Sequence, residues 1–429
     1  MAKKTQSANG MYQLVKELFP YCRSITGNGV RQTLKTIQKS IPLELIEIPT
    51  GTKVLDWEIP EEWNISDGYI LDDKANKIVD FKELNLHVLN YSTPVNKKVS
   101  LQELKDHTFT LPAHPDLIPY RTSYYQKKWG FCMSQNQLDS LSEGEYQVYI
   151  DSEHKKGSLS YGELYIKGNS SKEVLISTHI CHPSLANDNL SGISVATFLA
   201  QYLLGRTLNY SYRFLFIPGT IGSIAWLSRN EDKLEHIEHG LTITLLGDQS
   251  NFTYKRSRRG NSEIDKIAEY YLEQNYPKHT ILDFIPYGYD ERQYCSPGFN
   301  LPVGCFTRNT FGEFKEYHTS GDNLEFISEE KLQESLQALQ DILEIAEHSR
   351  SYINTNPKGE PQLGRRGLYE KIGGTNDSKL TQLASLWVLN LSDGSNTLMD
   401  IAIRSGIEFE VIVEASEALK QCGLLKEVQ

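Results

Sequence analysis

Two periods of apolar and polar residues run along this chain, and the places where one gives way to the other divide it. From Met11 to Phe19 apolar positions recur at helical spacing. After a turn-rich loop at Arg23–Gly29 the same spacing returns over Val30–Ser40. Leu43–Ile48 then alternates, which predicts a half-buried strand. Between Thr52 and Tyr149 the rhythm changes to short strand-like runs, at Gly68–Leu71, Lys77–Asp80, Leu86–Leu89 and Tyr146–Ile150, broken by Pro60, Pro94, Pro112, Pro115 and Pro119. Turn signals between such runs predict a β-rich unit, read as an insertion. From Gly162 apolar strands alternate with helices. Glu173–Ser177, Tyr212–Ile217, Leu241–Leu246 and Leu301–Phe306 are predicted strands, and Leu190–Leu204, Ser223–Arg229, Ile264–Gln274 and Glu329–Arg350 predicted helices. Continuous apolar strands imply a sheet covered on both faces. Ser351–Arg366 reads as a linker. Helical patterns at Lys379–Leu389, Thr397–Ser405 and Glu408–Gln421, closed by a short strand after Gly423, follow the order of a winged helix.

The expectation is therefore an α/β protein in three parts. Residues 1–50 and 155–352 form a split main domain, 51–154 an inserted β-rich domain and 365–429 a winged-helix-like domain.

Composition narrows the classes. With 44 Lys+Arg against 55 Asp+Glu the net charge is −11, which argues against a general nucleic-acid binder. The 39% of hydrophobic residues is enough for packed cores and argues against disorder. No apolar run approaches the ~20 residues that span a bilayer, so no membrane partner is expected. The polar start, Met1–Ser7, lacks the apolar stretch of a secretory signal. Six scattered cysteines without a CxxC pair fit reduced thiols, hence a cytoplasmic protein. In the last helices Arg404, Lys420 and Lys426 face Asp400, Glu408, Glu410, Glu414, Glu417 and Glu427, which points to a protein contact or homo-oligomer role, not DNA.

The chemistry concentrates where a buried strand runs into His179 and His182, followed by Asp188 just before a helix of small residues. Ligands at the carboxyl ends of strands lie where α/β sheets bind things, and imidazole with carboxylate suits zinc. Asp248 after the third strand and His318 before the last long helix supply matching groups. Singly, each has an ordinary reading: a loop histidine, or Asp188 as an N-cap. Asp322 reads as a turn support. Lys255, Arg256, Arg258 and Arg259 form the one dense basic run, seven residues beyond Asp248, and could hold an anionic substrate group. Arg121 and Tyr124 of the insertion could reach the same cleft.

The order of these groups resembles the co-catalytic zinc aminopeptidases, the family that includes bacterial leucyl aminopeptidases and glutamate carboxypeptidase. The whole chain is more closely similar to bacterial aminopeptidase-like proteins with a β-rich insertion and a C-terminal winged helix. The runs Pro286–Gly298 and Tyr254–Asn261 carry that closer likeness. The resemblance implies a zinc-peptidase-like mixed sheet flanked by helices, His179 as first ligand, Asp188 as bridging carboxylate, Asp248 as second aspartate and His318 as last histidine. The number of zinc ions stays open at one or two.

Two positions depart from that family. Cys181 stands where an aspartate orients the first histidine. Pro218-Gly219-Thr220-Ile221-Gly222 stands where a Glu-Glu pair supplies a general base and a ligand. Glu291, in the loop that borders the family's substrate pocket, is the substitute expected as base, with a salt bridge as its ordinary role. His182 is the substitute ligand. The expected function is a zinc-dependent aminopeptidase-type hydrolase acting on a small anionic or peptide substrate. Its rivals are a degenerate peptidase fold that binds without turnover and an amide hydrolase acting on a sugar or small metabolite.

Overall fold

The computed structural model describes residues 2–368 and 376–428. Helix α1 spans Ala2–Leu18 and α2 spans Asn28–Gln38. Along α2 the buried residues are Val30, Thr33, Leu34, Thr36 and Ile37, the i, i+3, i+4, i+7 stripe of a helix with one face inward. Gly27, before α2, has φ 95°, and a Cβ there would lie 2.1 Å from the Trp63 carbonyl oxygen. Only glycine satisfies both demands.

The central sheet has eight strands: β1 (Glu44–Pro49), β2 (Ser158–Ile166), β3 (Glu173–His179), β4 (Ser211–Ile217), β5 (Ile237–Ile243), β6 (Thr253–Lys255), β7 (Thr280–Leu282) and β8 (Val303–Thr307). Their spatial order is β1-β2-β4-β3-β5-β8-β6-β7. β4, β3, β5 and β8 run parallel, while β2 and β6 turn the outer parts antiparallel. Every residue of β3, β4 and β8 is buried, as strands covered on both faces require. Helices α3 (Gly192–Leu203) and α4 (Ile221–Arg229) follow β3 and β4 and put small or apolar side chains inward. Between β3 and β4, Arg213 holds Glu173 with two bonds of 2.7 and 2.8 Å and also bonds Glu163 on β2.

The inserted part carries its own antiparallel sheet, ordered Lys77–Asp80, Glu62–Leu71, Glu145–Lys155, Val95–Ser100. Residues of Glu145–Lys155 alternate buried and exposed, and Ile70, Val79, Val99, Val148 and Ile150 form the core beneath. Leu86–Leu89, expected as a strand, is instead a 3-10 turn at Asn85–His87. Its residues are buried without alternation, and the His87 N–H bonds the Leu84 carbonyl. Val95–Ser100 escaped the sequence reading because Asn96, Lys97 and Lys98 face solvent.

By chain contacts the residues up to Ser262 with Tyr276–Leu339 make one unit, and Glu263–Asn275 with Gln340 onward another. In the second, helices α5 (Glu263–Asn275), α6 (Asn376–Leu391), α7 (Leu398–Ser405) and α8 (Phe409–Gln421) accompany a sheet ordered Asp393–Thr397, Ser351–Asn354, Leu425–Glu427. Ser351–Asn354, expected as linker, is the middle strand of that sheet, hydrogen-bonded on both edges. Its polar ends concealed the Tyr352-Ile353 centre. Thr397 and Asp400 close a capping box on α7.

Candidate metal centre

β3 delivers His179 at the carboxyl edge of the sheet, between parallel neighbours β4 and β5. The Ile180 N–H continues the pairing onto the Ile217 carbonyl, and the chain then leaves the sheet. His182 sits on that exit. Its carbonyl accepts from Nε of buried Arg23 at 2.8 Å, so the N-terminal loop clamps it from behind. Asp188 is held by its backbone. Asp322 accepts from the N–H groups of Asn187 and Asp188 at 2.6 and 2.8 Å, which fixes the turn before α3. His318, at φ 52°, is fixed by its neighbours. Its carbonyl accepts from the Tyr120 N–H at 2.7 Å, and Pro119 bridges Thr319.

These residues converge. His179 Nε2 lies 2.8 Å from Asp188 Oδ1 and 3.1 Å from His182 Nδ1. The ligand atoms of His179, His182 and Asp188 all fall within 4.8 Å of one another. His318 Nε2 approaches Asp188 Oδ2 to 3.0 Å from the other side. Aromatic rings wall the group. Tyr289 stacks on His179 at 4.6 Å and Tyr317 on His318 at 4.0 Å, and Tyr120 sets its edge against His182 and His318. The Tyr289 hydroxyl donates to Asp188 Oδ1 at 3.3 Å.

Burial opposes charge on Asp188, but the surrounding histidines outweigh it and hold its carboxyl well below the usual range. Burial pushes His182 and His318 down, toward the neutral imidazole that ligates metals. Asp188 Oδ2 and His318 Nε2 face each other at 3.0 Å, an imidazole nitrogen against a carboxylate oxygen. Donors of these two kinds brought this close suit zinc, and a cation between them would engage both. The donor set therefore fits zinc.

Other sequence candidates stand elsewhere. Asp248 accepts from Asn187 Nδ2 at 2.6 Å and from the Ser250 N–H at 2.7 Å, so it orients Asn187 and lies outside the clustered ligand atoms. Glu291, expected as base, is wholly buried and paired with the Lys255 ammonium, and its other recorded bond is from the Tyr289 N–H. The basic run is dispersed: Lys255 is interior, Arg256 bonds Asp283 at 2.6 Å, and Arg258 and Arg259 bond Asn300 at 2.9 Å each. From the insertion, exposed Arg121 is near enough to help depress His318, and the Tyr124 hydroxyl bonds that of Tyr120 at 2.9 Å.

Cys181 does not take over the orienting role of an aspartate. Its thiol donates to the Gly219 carbonyl at 3.5 Å, burial pushes it up to about 12, and His179 Nδ1 has no partner among the described residues. Arg23, Tyr120 and Tyr289 were missed as site residues; Arg23 lies in a stretch read only as a turn-rich loop, while Tyr120 and Tyr289 lie in stretches singled out for other residues. Its hydroxyl bond to Asp188 and its stacking on His179 distinguish Tyr289 from its neighbours.

Known proteins share this fold. The family model described as "Domain of unknown function (DUF4910)" matches residues 12–349, and a winged helix-turn-helix model matches 350–427. A Clostridium acetobutylicum protein named "Putative polysaccharide biosynthesis protein with aminopeptidase-like domain" is 51% identical, over 98% of this chain and 97% of its own. The crystal structure of a putative peptidase from that organism superposes with TM-score 0.92 at 49% identity, covering 100% of this chain and 98% of the other. The Bacillus subtilis zinc aminopeptidase superposes with TM-score 0.58 at 14% identity, over 79% and 95%, a likeness of fold. The chain belongs to the DUF4910 family, has the mixed-sheet fold of the zinc aminopeptidases, and ends its described structure in a winged helix.

Proposed function

We propose that this chain is a metal-dependent hydrolase that cleaves an amide bond in a small substrate, with zinc held by His179, His182, Asp188 and His318. The observation that carries this reading is the convergence of donor atoms: those of His179, His182 and Asp188 lie within 4.8 Å of one another, and His318 Nε2 stands 3.0 Å from Asp188 Oδ2. Zinc bound there would polarise a carbonyl and ease deprotonation of water. Because Asp248 is engaged by Asn187 and Ser250, one ion is favoured over two. Tyr289 steadies Asp188, the Tyr120 and Tyr317 rings limit water, and the Arg121 guanidinium suits an anionic end on the substrate.

The fold favours an aminopeptidase-type substrate. The relative's name, with polysaccharide biosynthesis in it, supports a second reading, an amide on an amino sugar. Unpaired cysteines suit a reducing cytoplasm. No helix among the described residues is long and apolar enough to cross a membrane. Carboxylates Glu410, Glu414 and Glu417 on α8 favour a protein partner or second copy over nucleic acid.

Protein purified without chelator should carry about one zinc per chain. Asp188→Ala should lower zinc affinity by at least about 100-fold and abolish turnover. Aminoacyl anilides and N-acyl amino sugars, offered side by side, separate the two substrate readings. Absence of stoichiometric divalent metal in the native protein would overturn both.

A further inference from the structure

The loop between β7 and the helical turn Glu291–Tyr294 brings Tyr289 to Asp188 and His179, yet little ties its main chain down. Among the described residues the main chain of Asp283–Tyr289 makes only two hydrogen bonds. The Tyr287 carbonyl accepts from Lys255 Nζ at 2.8 Å, and the Tyr289 N–H donates to Glu291 Oε1 at 3.3 Å. Both partners belong to one ion pair, in which Lys255 is 2% and Glu291 0% exposed. The two bonds lie on either side of Gly288, whose φ is 137°. A Cβ added there would stand 2.5 Å from Glu291 Oε1 and 2.8 Å from Lys255 Nζ, so the loop is folded directly onto the pair. We propose that the buried Lys255–Glu291 pair is a positioning device: it seats Tyr289 against Asp188 and His179, and acts on the proposed metal site through that tyrosine. The effect on metal rests on the zinc reading above, whereas the seating of the loop does not.

Three observations support this role. First, the contacts from the pair to the ligands are continuous. The residue whose N–H Glu291 holds donates its hydroxyl to Asp188 Oδ1 at 3.3 Å, and its ring lies on that of His179 at 4.6 Å and 14°. Second, the ammonium also steadies the ring beside Tyr289. Lys255 Nζ stands 5.2 Å from the centre of the Phe311 ring, and Phe311 meets Tyr289 at 5.3 Å and 85°. Third, stability alone does not account for the pair. Desolvating two charges offsets much of their attraction, and apolar residues of similar size often serve a core as well. An apolar pair could not hold a carbonyl and an N–H on either side of Gly288. Packing holds this loop weakly, since Ile285 and Tyr287 are 50% and 64% exposed.

The test compares full-length wild type, Tyr289→Phe, the pair-free variant Lys255→Met with Glu291→Leu, and all three changes together. Removing both charges avoids leaving one buried alone. In zinc competition against a chromophoric chelator, the pair-free variant should bind at least about 10-fold more weakly than wild type, and Tyr289→Phe should also lose affinity. The triple variant should be no weaker than the pair-free one, because the pair works through Tyr289. Losses that multiply in the triple variant, as a merely structural pair would give, overturn the proposal. Wild-type affinity in the pair-free variant does the same. Chymotrypsin reads the seating in metal-free protein. Cleavage after Tyr287 should quicken at least about 10-fold in the pair-free variant, relative to cleavage after exposed Tyr125. An unchanged ratio of the two cuts overturns the seating. Should the pair-free variant not fold, Glu291→Gln takes its place, with smaller losses in the same direction expected and none overturning the proposal. Wild type that binds no zinc, with the Tyr287 cut quickened as expected, overturns the metal reading and the pair's action on metal. Zinc binding with an unchanged cut overturns only the pair's role.

Discussion

His239, on β5, shows how a single buried side chain can set a pH response. It is 1% exposed, neither ring nitrogen has a partner among the described residues, and its ring edge meets Tyr210 at 5.0 Å. Burial, helped by the charge of Lys172, lowers it from 6.5 to about 4. Between those values the unfolded chain holds a proton that the folded chain refuses. Stability is therefore whole above about 6.5 and falls as the pH drops toward 4, by about 3 kcal/mol from this residue. His239→Phe should match wild type in urea at pH 7 and resist clearly better at pH 4; parallel losses in both proteins would contradict this. The same dependence on surroundings limits what residue types reveal. Asp290 and Glu291 are adjacent acids in one loop, and nothing in the letters says that one meets Lys255 while the other meets only Ser223. Nor do they say that Asp248, expected as a ligand, is engaged by Asn187 from a different loop.

Elements were more legible than residues. The strand ending at His179 and the helices after β3 and β4 follow from apolar runs and periodicity, because burial on two faces leaves a strong trace. Short, partly exposed strands such as Val95–Ser100 and Ser351–Asn354 were hidden, since polar residues dominate their letters. Within the main sheet, β3 and β4 depend on the Arg213 guanidinium, which sits between Glu173 and Glu163 and is itself only 6% exposed. Removing one partner of a buried pair leaves an uncompensated charge. Arg213→Ala should cost about 3–5 kcal/mol, read as a lowered urea midpoint. An unchanged midpoint would mean that water already screens these groups.

At the scale of the molecule, the proposed metal-holding group is assembled from distant parts of the chain. His179, His182 and Asp188 lie close together in sequence, whereas His318 is set in place by residues 118–120 of the insertion, through the Tyr120 N–H and the Pro119–Thr319 bridge. Ser320 Oγ adds a 3.0 Å bond from the Ile118 N–H across 202 positions. Contacts this far apart close late, because the chain entropy of a long loop must be overcome before they form. On the proposed function, capture of metal is then a mark of maturity: the chain would gain it only when its most remote segments have met. During refolding from urea, quenching of a zinc-indicator dye should lag behind recovery of the far-ultraviolet signal, and simultaneous recovery would show that His318 finds its place without the insertion.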